Sequence, residues 1–151
     1  MKLPTSSSKP KRNGWFPLSR VEVRGESMAP SLRPGDRLLV LKREMRKRER
    51  AYAIGDIVIF EYGDRSYIKR IVGVPGQHVL WHGLSWELNA TEYFALGDNR
   101  SKSIDSRTFG PIPHRYIFGR VVLKYFPSLQ WLGRSHRSTS PHGQSPSNRL
   151  G

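Results

Sequence analysis

The chain has 151 residues, with 26 Lys and Arg against 12 Asp and Glu, and it has no cysteine. This length allows one domain with a modest hydrophobic core, and the lack of cysteine excludes disulfides and cysteine-ligated metals. Residues 1–20 contain neither the apolar run of a membrane span nor the apolar centre of a secretory signal. We therefore expect a chain without a transmembrane anchor, and a cytoplasmic location is compatible with the cysteine usage.

The net charge of +14 is concentrated in three segments: residues 1–20 carry +5, residues 42–50 carry +4 and residues 131–151 carry +3. Nucleic-acid-binding domains normally present their basic residues on a folded face, so a nucleic-acid partner is not expected. Peripheral contact with an anionic surface stays open. Composition predicts a disordered basic segment at 1–19, a single domain at 20–130 and a disordered basic tail at 131–151.

The segment between the two termini has the pattern of a mainly β protein. Short apolar or alternating runs are separated by Gly- and Pro-containing turns, and no segment has a convincing amphipathic helical pattern. The basic run at 42–50 lacks an apolar face and is interpreted as an exposed loop or frayed hairpin. In chain order, the predicted strands are "RVEVRG" before residue 26, then 36–42, 56–62, 66–74, a hairpin at 78–89 turning near His82, 92–97 and 116–126.

The stretch "GESMAPSLRPGD", residues 25–36, contains Ser27 between two predicted strands. A serine attacks an amide only if a base removes its proton and a donor stabilises the oxyanion. Without such partners, Ser27 is an ordinary loop residue. The usual base is histidine, but none of the five has a sequence context that marks it as one. A Ser-His-Asp triad is therefore disfavoured; the histidines are His78, His82, His114, His136 and His142.

Lysine is the other candidate base, provided that its pKa falls by roughly three units, equivalent to about 4 kcal/mol. In "SYIKRIV" the period of two places Lys69 on one strand face with Tyr67 and Ile71, without a carboxylate beside it. Burial among such apolar groups lowers a lysine pKa. The competing interpretation is that Lys69 extends from a strand end into solvent.

The stretch "FALGDNRSKSIDSRTFG", residues 94–110, is unusually rich in polar side chains for a plain loop. Two Asp–Arg combinations, Asp98 with Arg100 and Asp105 with Arg107, are placed to brace a turn by ion pairs. Serine hydroxyls in the same stretch are available to orient a neighbouring amine.

Together, "GESMAPSL", "YIKRIVGVPG" and "LGDNRSKSIDSRTFG" resemble the three motifs of the signal peptidase I (S26) family, in the family's order. The resemblance implies a Ser–Lys serine protease without metal or cofactor, on a signal-peptidase/LexA-like curved antiparallel β fold. It implies that Ser27 is the nucleophile with its N–H as oxyanion donor, and that Lys69 is the general base oriented by Ser103. The supporting residues would be Asp98, Asn99 and Arg100, together with an Asp105–Arg107 ion pair.

Departures from the family pattern are Gly25 where some members have a hydroxyl, Ser31 for threonine and Gln77 for an acid. The short anchorless form and the ending "GRVVLKYFP" are similar to one soluble branch, the maturation proteases of nickel-type superoxide dismutase. This implies a precursor polypeptide as partner, whose N-terminal leader is removed. The alternative is signal peptidase-like processing of secretory precursors at a membrane surface.

Two further classes are less favoured. LexA-type repressors also use a Ser–Lys dyad, but they need a DNA-binding domain that some 20 N-terminal residues do not supply. A basic RNA- or lipid-binding β domain with decayed protease motifs would show salt-dependent binding that survives Ser27→Ala, without peptide cleavage.

Overall fold

The computed structural model describes residues 17–43 and 51–133, and these form a mainly antiparallel β structure, as predicted. The basic run beyond residue 43 and most of the two predicted disordered termini lie outside the described residues. Strands and one short helix follow in chain order: β1 Leu18–Glu22, β2 Arg37–Lys42, β3 Ile57–Tyr62, β4 Arg65–Gly73, β5 His78–Trp81, β6 Leu84–Glu87, β7 Glu92–Leu96, α1 Ser106–Phe109, β8 Ile112–Pro113, β9 Ile117–Phe126 and β10 Gln130–Trp131.

Eight strands form one antiparallel sheet in the order β1-β2-β9-β3-β4-β7-β8, with β10 added on β9. Register shifts interrupt the β2–β9, β3–β9 and β4–β7 pairings, and such irregularities bend and twist strands. The sheet begins at Leu18 and ends at Trp131, so it extends slightly beyond the expected domain limits of 20 and 130 on both sides.

The predicted hairpin is present as β5 and β6, which pair with each other apart from the main sheet. Its two turn residues, His82 and Gly83, both have positive φ, of 46° and 81°. This is the backbone that a tight two-residue hairpin turn requires. The sequence did not predict β8, β10 or the single-turn helix α1, because each is too short to show a period.

Among the described residues, three buried apolar clusters pack on the strands, and two of them contain residues next to the site. One contains Met28, Leu32 and Ile68, and the other contains Phe60 and Ile71. Burial of these side chains is the main stabilising term for the fold. In the described ranges, 17–43 and 51–133, we find no helix of the length and apolar character needed to cross a bilayer.

Candidate active site

Ser27 lies in the connection between β1 and β2, in a turn that is fastened on both sides. The Ala29 amide donates to the Glu26 carbonyl at 3.1 Å, and the Leu32 amide donates to the Met28 carbonyl at 2.9 Å. Met28 and Leu32 are buried in the core. Because these two apolar anchors hold the turn, the half-buried Ser27 directly before Met28 has a defined position.

The Nζ atom of Lys69 lies 2.7 Å from the Oγ atom of Ser27, although the two residues are 42 positions apart. Lys69 sits in the middle of β4 with 3% of its surface exposed, and it donates to the Ile68 carbonyl at 3.0 Å. The ring of Tyr67, on the same strand face, lies 5.6 Å from Nζ. Lys69 therefore does not extend into solvent.

Burial lowers the pKa of the Lys69 amine from its ordinary value to about 8, because the charged form loses its hydration. The carboxylates of Asp105 and Asp98 act in the opposite direction, raising the pKa. Sequence reasoning expected no carboxylate beside the amine. Two are near enough to act on it, and each is bonded to an arginine, which limits its effect.

Asp98 pairs with Arg70, not with Arg100 as the sequence suggested. Nε and Nη2 of Arg70 donate to the two Asp98 oxygens at 2.9 and 2.8 Å, in a bidentate pair. Burial favours a raised pKa for Asp98, but hydrogen bonds from Arg70 and Ser31 outweigh it and hold the pKa below its usual value. The guanidinium of Arg100 instead lies 5.0 Å from the ring of Trp81. The ion pair joins the strand that carries Lys69 to the last motif.

The expected pair of Asp105 and Arg107 is present and bidentate, with N–O distances of 2.8 and 2.9 Å. Asp105 is completely buried, and it also accepts from the Gly97 amide at 2.9 Å. Burial favours a raised pKa for Asp105, but these donors outweigh it and keep the pKa low. Asp105 also caps the N-terminus of α1 by accepting from the Arg107 amide. One carboxylate thus holds together several parts of the last motif.

Ser103 differs from the expected arrangement. Its hydroxyl donates to Asp105 at 2.7 Å, where the resemblance implied a hydrogen bond to the Lys69 amine. The physical reason is that a buried carboxylate is a stronger acceptor than an amine. Ser103 is nevertheless close to the dyad, because a Cβ added at Gly97 would collide with both the Ser103 side chain and the Ser27 carbonyl oxygen. Only glycine allows this approach.

Asn99 and Lys102 fasten the last motif to the serine turn. The Asn99 amide donates to the Ser27 carbonyl at 2.9 Å, and its side-chain nitrogen donates to the Glu26 carbonyl at 3.2 Å. Lys102 forms an exposed ion pair with Glu26 at 2.9 Å. In the described part of the chain, no acceptor is paired with the Ser27 amide, so this N–H is available as an oxyanion donor.

A cleft of about 160 Å³ opens beside Ser27 and Lys69. One wall is the segment 23–28, and the other is the first half of β4, residues 65–69. β7 pairs only with the second half of β4, from Arg70 onward. Within residues 17–43 and 51–133, the first half of β4 is paired with β3 on its other side, and an extended peptide is the shape that fits between two such segments.

The structure brings Ser27, Lys69 and residues of the last motif together from three distant stretches, whereas the side chain of Arg100 lies over Trp81. Sequence reasoning missed Arg70, Gly97 and Trp81. Arg70 directly follows Lys69, and this second charge between the apolar residues Ile68 and Ile71 was an available signal. Trp81 carried none, because its contacts with Arg100 and Arg107, at 5.0 and 5.7 Å, depend on how the hairpin packs.

Comparison with known proteins gives consistent matches. A family model described as signal peptidase, peptidase S26, matches residues 14–84 and 80–126. The chain is 30% identical to mitochondrial inner membrane protease subunit 1 of Schizosaccharomyces pombe, over 72% of this chain and 73% of that protein. It is 28% identical to probable signal peptidase I-1 of Synechocystis (72% and 71%) and 30% identical to signal peptidase I of Leptolyngbya laminosa (70% and 67%).

Proposed function

This chain belongs to the peptidase S26 family of signal peptidases, and on that premise we propose that it is a serine endopeptidase with a Ser–Lys dyad. It removes an N-terminal leader from a precursor protein. The observation that carries the proposal is the 2.7 Å approach of Lys69 Nζ to Ser27 Oγ in a buried position. A nucleophile within hydrogen-bond reach of a base is the geometry that covalent catalysis needs.

The amine acts in its neutral form. With a pKa of about 8, about one tenth of the molecules carry a neutral Lys69 at pH 7, roughly 300 times the fraction of an ordinary lysine. A base whose pKa lies near the working pH combines a useful population with adequate basicity. Because burial supplies this shift, the apolar surroundings of Lys69 are part of the catalytic machinery.

In the first half-reaction, Lys69 accepts the Ser27 proton while Oγ attacks the scissile carbonyl carbon. The amide of Ser27 donates to the resulting oxyanion. When the tetrahedral intermediate collapses, the C–N bond breaks and the Lys69 ammonium returns the proton to the leaving amine. An acyl-enzyme ester remains on Ser27.

In the second half-reaction, the neutral amine takes a proton from water, and the oxygen attacks the ester carbon. The C–O bond to Ser27 breaks and Oγ recovers the proton from Lys69. Asp98 and Asp105 act indirectly. The Asp98–Arg70 pair holds the last motif against the strand of Lys69, and the Asp105–Arg107 pair holds that motif together. We propose that Ser103 acts in the same indirect way, by orienting Asp105.

We propose the precursor of nickel-type superoxide dismutase as the substrate, on the similarity of "GRVVLKYFP", which forms most of β9. The alternative is a secretory precursor. The names of the relatives, signal peptidases and an organellar inner membrane protease, favour that alternative and do not specify the dismutase. A cytoplasmic location also stays a prediction, to be checked by cell fractionation with an antibody to this chain.

The deciding experiment incubates the purified full-length chain with both precursors and sequences each new N-terminus. Ser27→Ala serves as the matched control, since it removes one oxygen and keeps the amine. Cleavage of the dismutase precursor at a single bond, absent in the variant, is the expected result. Cleavage of the secretory precursor alone would select the alternative, and equal cleavage by the variant would overturn the dyad.

A further inference from the structure

We propose that Arg24 and Arg65 form a subsite for an acidic side chain of the substrate, a few residues from the scissile bond. This specificity rests on the proposed peptidase function and adds a chemical preference to it. The two arginines come from opposite walls of the cleft beside the dyad, and both are exposed.

The position follows from strand geometry. Arg65 precedes Lys69 by four residues on β4, and the alternation of the strand puts both side chains on the same face. Four residues of extended strand span roughly 13 Å. A substrate segment in the cleft that runs antiparallel or parallel to this stretch of β4 therefore brings its third to fifth residue from the scissile bond beside Arg65. Arg24, three residues before Ser27, faces the same stretch from the other wall.

The charge balance of the cleft favours a carboxylate there. Among the described residues that line it, Glu26 is the acidic one, and its carboxylate is bonded to Lys102 at 2.9 Å. Within residues 17–43 and 51–133, neither Arg24 nor Arg65 forms an ion pair. Asp64, next to Arg65 in the chain, does not come within ion-pair distance of it.

The other arginines near the dyad show the contrast. Arg70 and Arg107 are each bonded in a bidentate pair to an aspartate and hold the site together. Arg24 and Arg65 leave the same planar, bidentate donor groups directed to solvent at the cleft. Guanidinium groups bind carboxylates in this two-point manner, so the substrate supplies the acidic partner that residues 17–43 and 51–133 do not.

The test uses synthetic peptides that span the bond cut in the precursor assay. Each position from five residues before the bond to five after it carries Glu, Gln or Lys in turn. We expect one position, three to five residues from the bond, where Glu raises kcat/KM about fivefold over Gln through a lower KM, as an exposed ion pair allows. Lys at the same position lowers kcat/KM, and 0.5 M NaCl removes most of the difference in kcat/KM between the Glu and Gln peptides.

The variants Arg24→Glu and Arg65→Glu should each reverse the preference at that position, so that Lys is favoured over Glu. Arg115→Glu is the matched control, because Arg115 is an exposed arginine outside this cleft, and it should leave the preference intact. Equal rates for Glu, Gln and Lys, with cleavage still dependent on Ser27, would overturn the subsite and leave the peptidase proposal standing. The same reversal in Arg115→Glu would show that the preference comes from the overall charge of the protein, and this would also overturn the subsite. No cleavage of any peptide would overturn both proposals.

Discussion

Replacing Lys69 by methionine should stabilise the protein while abolishing its activity. Lys69 is 3% exposed, and burial lowers its pKa from 10.5 to about 8. At one pKa unit per 1.4 kcal/mol, this difference corresponds to about 3 kcal/mol of folding free energy below pH 8. Methionine has a similar volume and no charge, so it avoids the cost of burying a charged amine. It also loses the hydrogen bonds that the amine donates to Ser27 and Ile68. The net gain should be about 2 kcal/mol.

The sign of the pH dependence follows from the same shift. Between pH 8 and 10.5 the unfolded chain binds the proton and the folded chain does not, so the stability of the wild type rises with pH across this window. The Met variant lacks that rise. Its advantage should be full below pH 8 and should disappear as the pH approaches 10.5. Urea unfolding of both proteins at pH 7, 8, 9 and 10 measures the difference directly.

Ser27→Ala is the control that separates catalysis from burial. It should be inactive but should keep the wild-type rise of stability with pH, because the amine remains buried. If the wild type and the Met variant instead have parallel stability curves across the whole range, the Lys69 amine is not desolvated. The proposed source of its basicity would then be refuted.

Four further outcomes are expected. In the wild type, kcat/KM for the cleaved peptide should rise with pH up to about 8 and level off above it, since neutral Lys69 is the base; a flat profile from pH 6 to 9 would contradict this. Gly97→Ala should lower activity more than tenfold in the same assay, because its methyl group collides with the Ser103 side chain; full activity would exclude that close approach. Ser103→Ala should fold normally by circular dichroism and cleave about tenfold more slowly, through the loss of one buried hydrogen bond, and an unchanged rate would remove this hydroxyl from the site. Arg70→Met should lower the free energy of unfolding in urea by about 1–2 kcal/mol, because it breaks a partly buried ion pair with Asp98, whereas Arg100→Met should lower it little. Equal losses in the two variants would show that the Asp98–Arg70 pair adds no stability of its own.

The strands of the main sheet were predictable because their signals are local. Alternating or continuous apolar runs between Gly and Pro turns identified β2, β3 and β4 to within one or two residues. The same alternation placed Lys69 on one face with Tyr67 and Ile71, and the structure buries Lys69 there. The antiparallel arrangement was implied by the resemblance to the S26 family, and the structure confirms it.

The partners within the site were less predictable because they depend on long-range pairing. Asp98 bonds to Arg70 because β4 and β7 are neighbours in the sheet, whereas the sequence offered only the nearby Arg100. The hydroxyl of Ser103 turns to Asp105 because burial of that carboxylate creates a strong local acceptor. These hydrogen-bond partners are set by tertiary packing, and a motif alone does not specify them.

The half of β4 that β7 leaves unpaired also bears on solubility. An open strand edge can pair with the same edge of a second molecule, and proteins commonly guard such edges with charge. In the part of the chain that the structure describes, the stretch of β4 not paired with β7 is five residues long and begins at Arg65. The exposed charge of Arg65 at this edge opposes pairing with a second copy, while an acidic peptide is still admitted.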